Sequence, residues 1–148
     1  VTFLSTKTYG HELGLSAVFR QWRANSHCNK LHGYALSFKF TFMASELDSR
    51  NWVMDFGGLK GLKAKLQETF DHKLVVAKDD PRLELLAKIG DDGLADVIIL
   101  EHVGCEKFAE LAAQLASAEL QDLGISSRVK VVEVECAEHG ANSAIWKL

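Results

Sequence analysis

The stretch Tyr34-Ala35-Leu36-Ser37-Phe38-Lys39-Phe40-Thr41-Phe42 decides the fold class. Tyr34, Leu36, Phe38, Phe40 and Phe42 share one face, and Ala35, Ser37, Lys39 and Thr41 share the other. Successive side chains of an extended backbone point to opposite faces, so a strict period of two with aromatics on the apolar side predicts a half-buried β-strand. Leu13, Leu15, Ala17 and Phe19 alternate in the same way just upstream. The first 45 residues are therefore predicted to form a long β-hairpin. Between its strands, Arg20 to Gly33 is polar and bears histidines, a loop long enough to be functional.

Working outward, Val129 to Glu135 and Ser143 to Trp146 flank a loop with His139 and Gly140, which predicts a second hairpin. After Trp52-Val53-Met54, Asp55 is a helix N-cap candidate, and Leu59, Leu62, Leu66 and Phe70 recur at helical spacing. A second helix is predicted from near Cys105, with Phe108, Leu111, Ala112 and Leu115 on one face. Leu74-Val75-Val76 and Val97-Ile98-Ile99-Leu100 read as two short strands of an extra hairpin, with Asp79-Asp80-Pro81 a turn. The predicted order is ββ, helix, short hairpin, helix, ββ. That is an α+β plan, a four-stranded antiparallel sheet with two helices on one face.

With 148 residues, 47% apolar and 25% charged, the composition is that of one globular domain spanning residues 1–148. The net charge of -3 carries no basic excess, so neither nucleic acid nor a membrane surface is an expected partner. No apolar run approaches the ~18 residues of a membrane span. The first residues lack the basic and long apolar regions of a secretory leader. Cys28, Cys105 and Cys136 are odd in number and include no C-x-x-C pair, which disfavours a disulfide framework and a cysteine zinc finger. A cytoplasmic location is the expectation.

Three clusters can carry chemistry. Ser26-His27-Cys28-Asn29-Lys30-Leu31-His32-Gly33-Tyr34 places a cysteine between two histidines, a set that binds metal or forms a nucleophile–base pair, and that equally suits a solvated loop. Asp71-His72 pairs a carboxylate with an imidazole, either to set its tautomer or simply to close a helix end. Glu133 and Glu135 share one face of an apolar strand, as ligand anchors or as a solvated sheet face. His11, His102 and His139 are dispersed singly and read as structural or surface residues.

In order along nearly the whole chain, these segments resemble the 6-pyruvoyl-tetrahydropterin synthase / 6-carboxytetrahydropterin synthase family. Leu15-Ser16-Ala17-Val18-Phe19 is similar to its F-x-A-A-H, and Cys28-Asn29-Lys30-Leu31-His32-Gly33-Tyr34 to its C-x-x-L-H-G-H. Trp52 to Phe56 with Leu59-Lys60 resembles W-[VI]-[VIM]-D-F-x-x-L-K, and Phe70-Asp71-His72 resembles the L-D-H segment. Cys105-Glu106 stands at T-x-E, and Glu135-Cys136 at the terminal E-T. The resemblance implies the tunnelling fold (T-fold), a homo-oligomer, usually a hexamer, active sites between subunits, and a pterin-type substrate derived from dihydroneopterin triphosphate. It implies Cys28 with Asp71 and His72 as the proton-transfer set, Glu135 as the pterin anchor, and Cys105 and Glu106 beside the substrate.

The family's three zinc histidines fall on Phe19, His32 and Tyr34, so only His32 matches. Phenylalanine has no lone pair, and a catalytic zinc usually takes three protein ligands. His27, Cys28 or Tyr34 would have to rebuild the set around His32. The expectation is a degenerate or absent zinc site, on an enzyme that keeps its proton-transfer residues or on a non-catalytic pterin- or purine-like binder. Pyruvoyl, carboxy (queuosine-route) and aldolase-like products all stay open.

Overall fold

The central strand forms where the aromatic alternation places it. In the computed structural model, which describes residues 1–148, β3 runs His32–Ala44 with Leu36, Phe38, Phe40 and Phe42 fully buried. β1 (Phe3–Tyr9) and β2 (Leu15–Phe19) both pair antiparallel with β3, β1 opposite Phe38–Ala44 and β2 opposite His32–Leu36. The first strand of the expected hairpin is thus broken in two. A 3-10 turn over His11–Leu13 takes Leu13 out of the strand, and Gly14 closes it at φ 75°, a left-handed conformation that glycine adopts without a Cβ clash. On its other edge β3 pairs with β6 (Lys130–His139), which pairs with β7 (Asn142–Lys147) through a tight turn at Gly140. The four-stranded antiparallel sheet is therefore β1/β2, β3, β6 and β7.

Two helices cover the aromatic face. α1 (Lys60–Phe70) buries Leu62, Leu66 and Phe70. The longer Cys105–Asp122 helix, α3, buries Phe108, Ala109, Ala112, Ala113, Ala116 and Leu120. Phe70 sits between Phe38 and Phe108, with ring centroids 5.0 and 5.1 Å away. Cutting any of these rings back to alanine would cost about 3–5 kcal/mol, through lost transfer energy plus the cavity left behind. Asp55 caps the 3-10 turn Phe56–Gly58 rather than α1, its Oδ1 accepting the Gly57 N–H at 2.9 Å.

The middle of the chain departs from expectation. β4 (Lys73–Ala77) and β5 (Asp96–Leu100) are parallel, not a hairpin, and a third helix, α2 (Leu83–Asp91), crosses between them. β4 also lies parallel to β2, so the sheet grows to seven strands in the order β5-β4-β2-β3-β6-β7, with β1 beside β3. β4 is buried on both faces. Val75 and Ala77 join the main core, while Leu74 and Val76 pack with Leu86 of α2 on the other side. A parallel strand covered on both faces reads as a continuous apolar run, which Leu74-Val75-Val76 is. No helix is long and apolar enough to cross a membrane.

Candidate active site

β2 ends at Phe19, and the chain leaves the sheet through Arg20 and Gln21 before returning by a 3-10 turn at His27–Asn29 into β3. The Ser26 hydroxyl caps that turn by accepting the Cys28 N–H at 3.3 Å. Cys28 is half-buried and lines a cavity of about 250 Å³ with Phe19, His32, Cys105, Glu106 and Glu138. The fold thus brings together Cys28, His32, Cys105 and Glu106 from the predicted site. His27, one residue from Cys28, is exposed and does not line this cavity. A larger groove of about 830 Å³ between β5 and α3 holds none of these groups, and its charges pair locally as Lys78–Glu101 and Lys107–Glu110.

Phe19, His32 and Tyr34 do converge. Their ring centroids are 5.6 Å apart for Phe19–His32, 5.4 Å for His32–Tyr34 and 6.2 Å for Phe19–Tyr34. The three rings meet, but only His32 offers an imidazole nitrogen. His32 Nδ1 bonds the Lys30 carbonyl at 2.7 Å, so Nδ1 carries the proton and Nε2 is the free lone pair. Burial pushes the Tyr34 phenol pKa up, with Glu138, Cys28 and Cys105 adding to the effect, so the group stays a neutral hydrogen-bond donor. Nowhere do three His, Cys, Asp or Glu side chains gather as a metal-holding group. These residues do not fit a catalytic zinc.

Cys105 opens α3, and Cys136 faces it from the core side of β6, both buried. The hydrogen bond that the Cys136 thiol donates to Cys105, and then burial, push the Cys136 pKa up, so Cys136 remains a thiol. Glu138 escaped the sequence reading. It shares parity with buried Val134 and Cys136, and a register shift between Ala137 and His139 sets it in a bulge that turns it toward the cavity. An acidic residue on the apolar parity of a strand was the available signal.

Asp71, His72 and Glu135 lie outside this cavity. Asp71 ends α1, and His72 follows at φ 56°. A left-handed histidine costs about 1 kcal/mol, where glycine or asparagine would close a helix more cheaply. The strained backbone throws the imidazole outward, 86% exposed, with Nδ1 held by Asp71 Oδ1 at 2.6 Å. The pairing of Ala17 with Lys73 sets His72 level with Ser16, three residues or about 10 Å along β2 from Phe19. Glu135 stands between Lys39 and Ile145 on the sheet face away from α1 and α3. Its neighbour Glu133 is taken by Lys147 at 3.3 Å, and Glu135 is in no ion pair.

Residues 11–147 match the family described as 6-pyruvoyl tetrahydropterin synthase. A curated relative, the 6-carboxy-5,6,7,8-tetrahydropterin synthase of Aquifex aeolicus, is 26% identical over 136 residues, which are 90% of this chain and 84% of the relative. The crystal structure of an uncharacterised protein from Wolinella succinogenes superposes with a TM-score of 0.82 at 21% identity, covering 99% of this chain and 98% of that one. The 6-pyruvoyl tetrahydropterin synthase of Plasmodium falciparum superposes with a TM-score of 0.70 at 15% identity, covering 98% of this chain and 96% of its own. At such identities the superpositions establish the fold, which is the T-fold.

Proposed function

We propose a function from the premise that this chain belongs to the 6-pyruvoyl tetrahydropterin synthase family. It is a pterin synthase-like lyase acting on a substrate derived from dihydroneopterin triphosphate. Cys28 removes or returns a proton at the substrate side chain, and the Asp71–His72 pair relays it. Glu135 anchors the pterin, because a free carboxylate has two acceptor oxygens that match two adjacent ring N–H donors. Cys105 and Glu106 border the substrate.

The observation that carries this reading is the Asp71–His72 pair. An imidazole held by its carboxylate at 2.6 Å, on backbone strained to φ 56°, makes no other side-chain hydrogen bond within its own chain. Backbone strain of this kind is typical of functional sites. The cavity at Cys28, about 250 Å³, is also below the 300–1,000 Å³ usual for a small-molecule pocket. Both features suit a homo-oligomer, a hexamer by family resemblance, whose sites are completed between copies. Its three free thiols suit a reducing cytoplasm.

In this reading no three-histidine zinc takes part. The Nε2 of His32 and the Tyr34 hydroxyl are the polar groups left to face substrate oxygens. A second reading, a pterin- or purine-like binding protein, is favoured by the same loss of donors at Phe19 and Tyr34. Incubation with dihydroneopterin triphosphate, with and without added zinc, followed by product identification, separates the two. A pyruvoyl, carboxy or side-chain-cleaved product formed without added zinc supports the enzyme. No product under either condition moves the assignment to the binder.

A further inference from the structure

Two residues that the proposed chemistry leaves out, Arg20 and Gln21, fasten the Cys28 turn to the rest of the fold. Arg20 Nε and Nη2 donate to the two carboxylate oxygens of Asp80 at 2.8 and 2.7 Å, while Nη1 donates to the Asn29 carbonyl at 3.0 Å. A planar guanidinium makes these three bonds at once, whereas a lysine ammonium has no such fork. The Asp80 side chain is 1% exposed, and its Oδ1 also accepts the Arg82 N–H at 2.8 Å. Arg20 holds the Asp80 carboxyl below its ordinary range, so the pair stays charged.

Gln21 ties down the other side. Its backbone N–H donates to the Cys28 carbonyl at 3.0 Å, and its Nε2 donates to the Val103 carbonyl at 2.8 Å. Gly104 lies at φ 111°, and a Cβ there would stand 2.3 Å from the Gln21 Nε2 and displace the amide from this bond. The Cys28 turn, the β4–α2 turn at Asp80 and the start of α3 at Cys105 are thus joined through two consecutive residues.

Stability alone does not account for the arrangement. A buried ion pair is often no better for stability than apolar side chains of the same volume. What an apolar pair cannot do is hold the Asn29 carbonyl, one residue from the thiol. We propose that Arg20 and Asp80 are positioning residues for Cys28, fixing the turn that presents its thiol to the cavity. The parallel unit β4–α2–β5 thereby acquires a role, since its first turn supplies the anchor.

The proposal rests on the reading of Cys28 as the proton-transfer group, and the test separates the two. The folded full chain is alkylated with iodoacetamide, and the rate at each cysteine is read by mass spectrometry beside kcat and KM. In Arg20→Lys, Cys28 is expected to react about tenfold faster, because its turn opens locally. Cys105 and Cys136 stay protected, and kcat falls roughly 30-fold with KM unchanged, since a misplaced group costs rate before binding. Asp80→Asn is expected to give the same pattern. Arg23→Ala, which removes the neighbouring surface pair with Asp79, leaves Cys28 at the wild-type rate.

Wild-type Cys28 reactivity in both Arg20→Lys and Asp80→Asn overturns the proposal. So does equal acceleration at all three cysteines, or failure of both variants to fold, because the pair is then a general structural element. Faster Cys28 alkylation with unchanged kcat also overturns it, provided that Cys28→Ala is inactive. A fully active Cys28→Ala variant instead breaks the reading of Cys28.

Discussion

The Cys28 end of the molecule and the Asp71–His72 end are built in opposite ways. Around Cys28 the backbone is held at both flanks, by Arg20 on Asn29 and by Gln21 on the Cys28 carbonyl, and the thiol faces a cavity roofed by α3. At the end of α1 the imidazole stands in solvent with a single partner, Asp71. Glu135 is likewise bare, on the uncovered face of the sheet. One region is a finished wall around about 250 Å³, and the others are groups left outside it. The contrast teaches that a thiol lining a small pocket and an oriented, exposed carboxylate–imidazole pair lie apart within one copy.

The sharpest way to break that contrast is at the thiol. Cys28→Ala should lower turnover about 1,000-fold, the range of general acid–base catalysis, and leave pterin binding within twofold by fluorescence titration. Full turnover would reduce the finished wall to packing. Next is its anchor. Asp80→Asn should lower unfolding free energy by about 2 kcal/mol in urea titration, because the part-buried Arg20 guanidinium loses its charged partner. The pH dependence has a definite sign. The Asp80 pKa is depressed in the folded state, so its stabilisation is complete above the ordinary value of 3.8 and is lost as pH falls through the lower folded value. The stability gap between wild type and Asp80→Asn should therefore close below pH 3.8. A constant gap would mean that the carboxylate charge is not what matters.

Glu135→Ala tests the bare face, with pterin binding expected to weaken by about 30-fold, the worth of a charge-assisted hydrogen bond. Unchanged binding would remove the anchor from both the enzyme and the binder readings. The smallest effect is expected at His72→Ala, about tenfold in kcat, the loss of an oriented relay whose neighbours remain. Mixing that variant with Cys28→Ala sharpens the comparison further. Co-refolded oligomers should recover more activity than the mean of the two parents, since some sites then take Cys28 from one copy and His72 from another. No recovery would place both groups in one chain's site.

Much of this was legible residue by residue. The alternation from Tyr34 to Phe42 marked β3, and the spacing of Leu62, Leu66 and Phe70 marked α1, because burial on one face imposes a period on the chain. The apolar runs at Leu74 and Val97 were legible as strands but not as parallel ones. Direction depends on α2 covering the second face, and its signal, Leu83, Leu86 and Ile89 at helical spacing between the two runs, went unread. Cys28, His32, Cys105 and Glu106, singled out by their motif positions, line one cavity. Glu138 and Arg20 were missed because their importance lies in a bulge and in a contact with Asp80, sixty positions away.

The sequence by itself determined β3, α1, α3 and the family, since these depend on side-chain chemistry and short-range spacing. It also determined that Phe19 cannot ligate a metal, whatever surrounds it. The tertiary structure alone decided that Phe19, His32 and Tyr34 still meet as packed rings, that β4 and β5 run parallel, and that Cys28 is separated from Asp71, His72 and Glu135 within one copy. Those facts depend on which faces are covered and which distant segments touch, and long-range packing settles both.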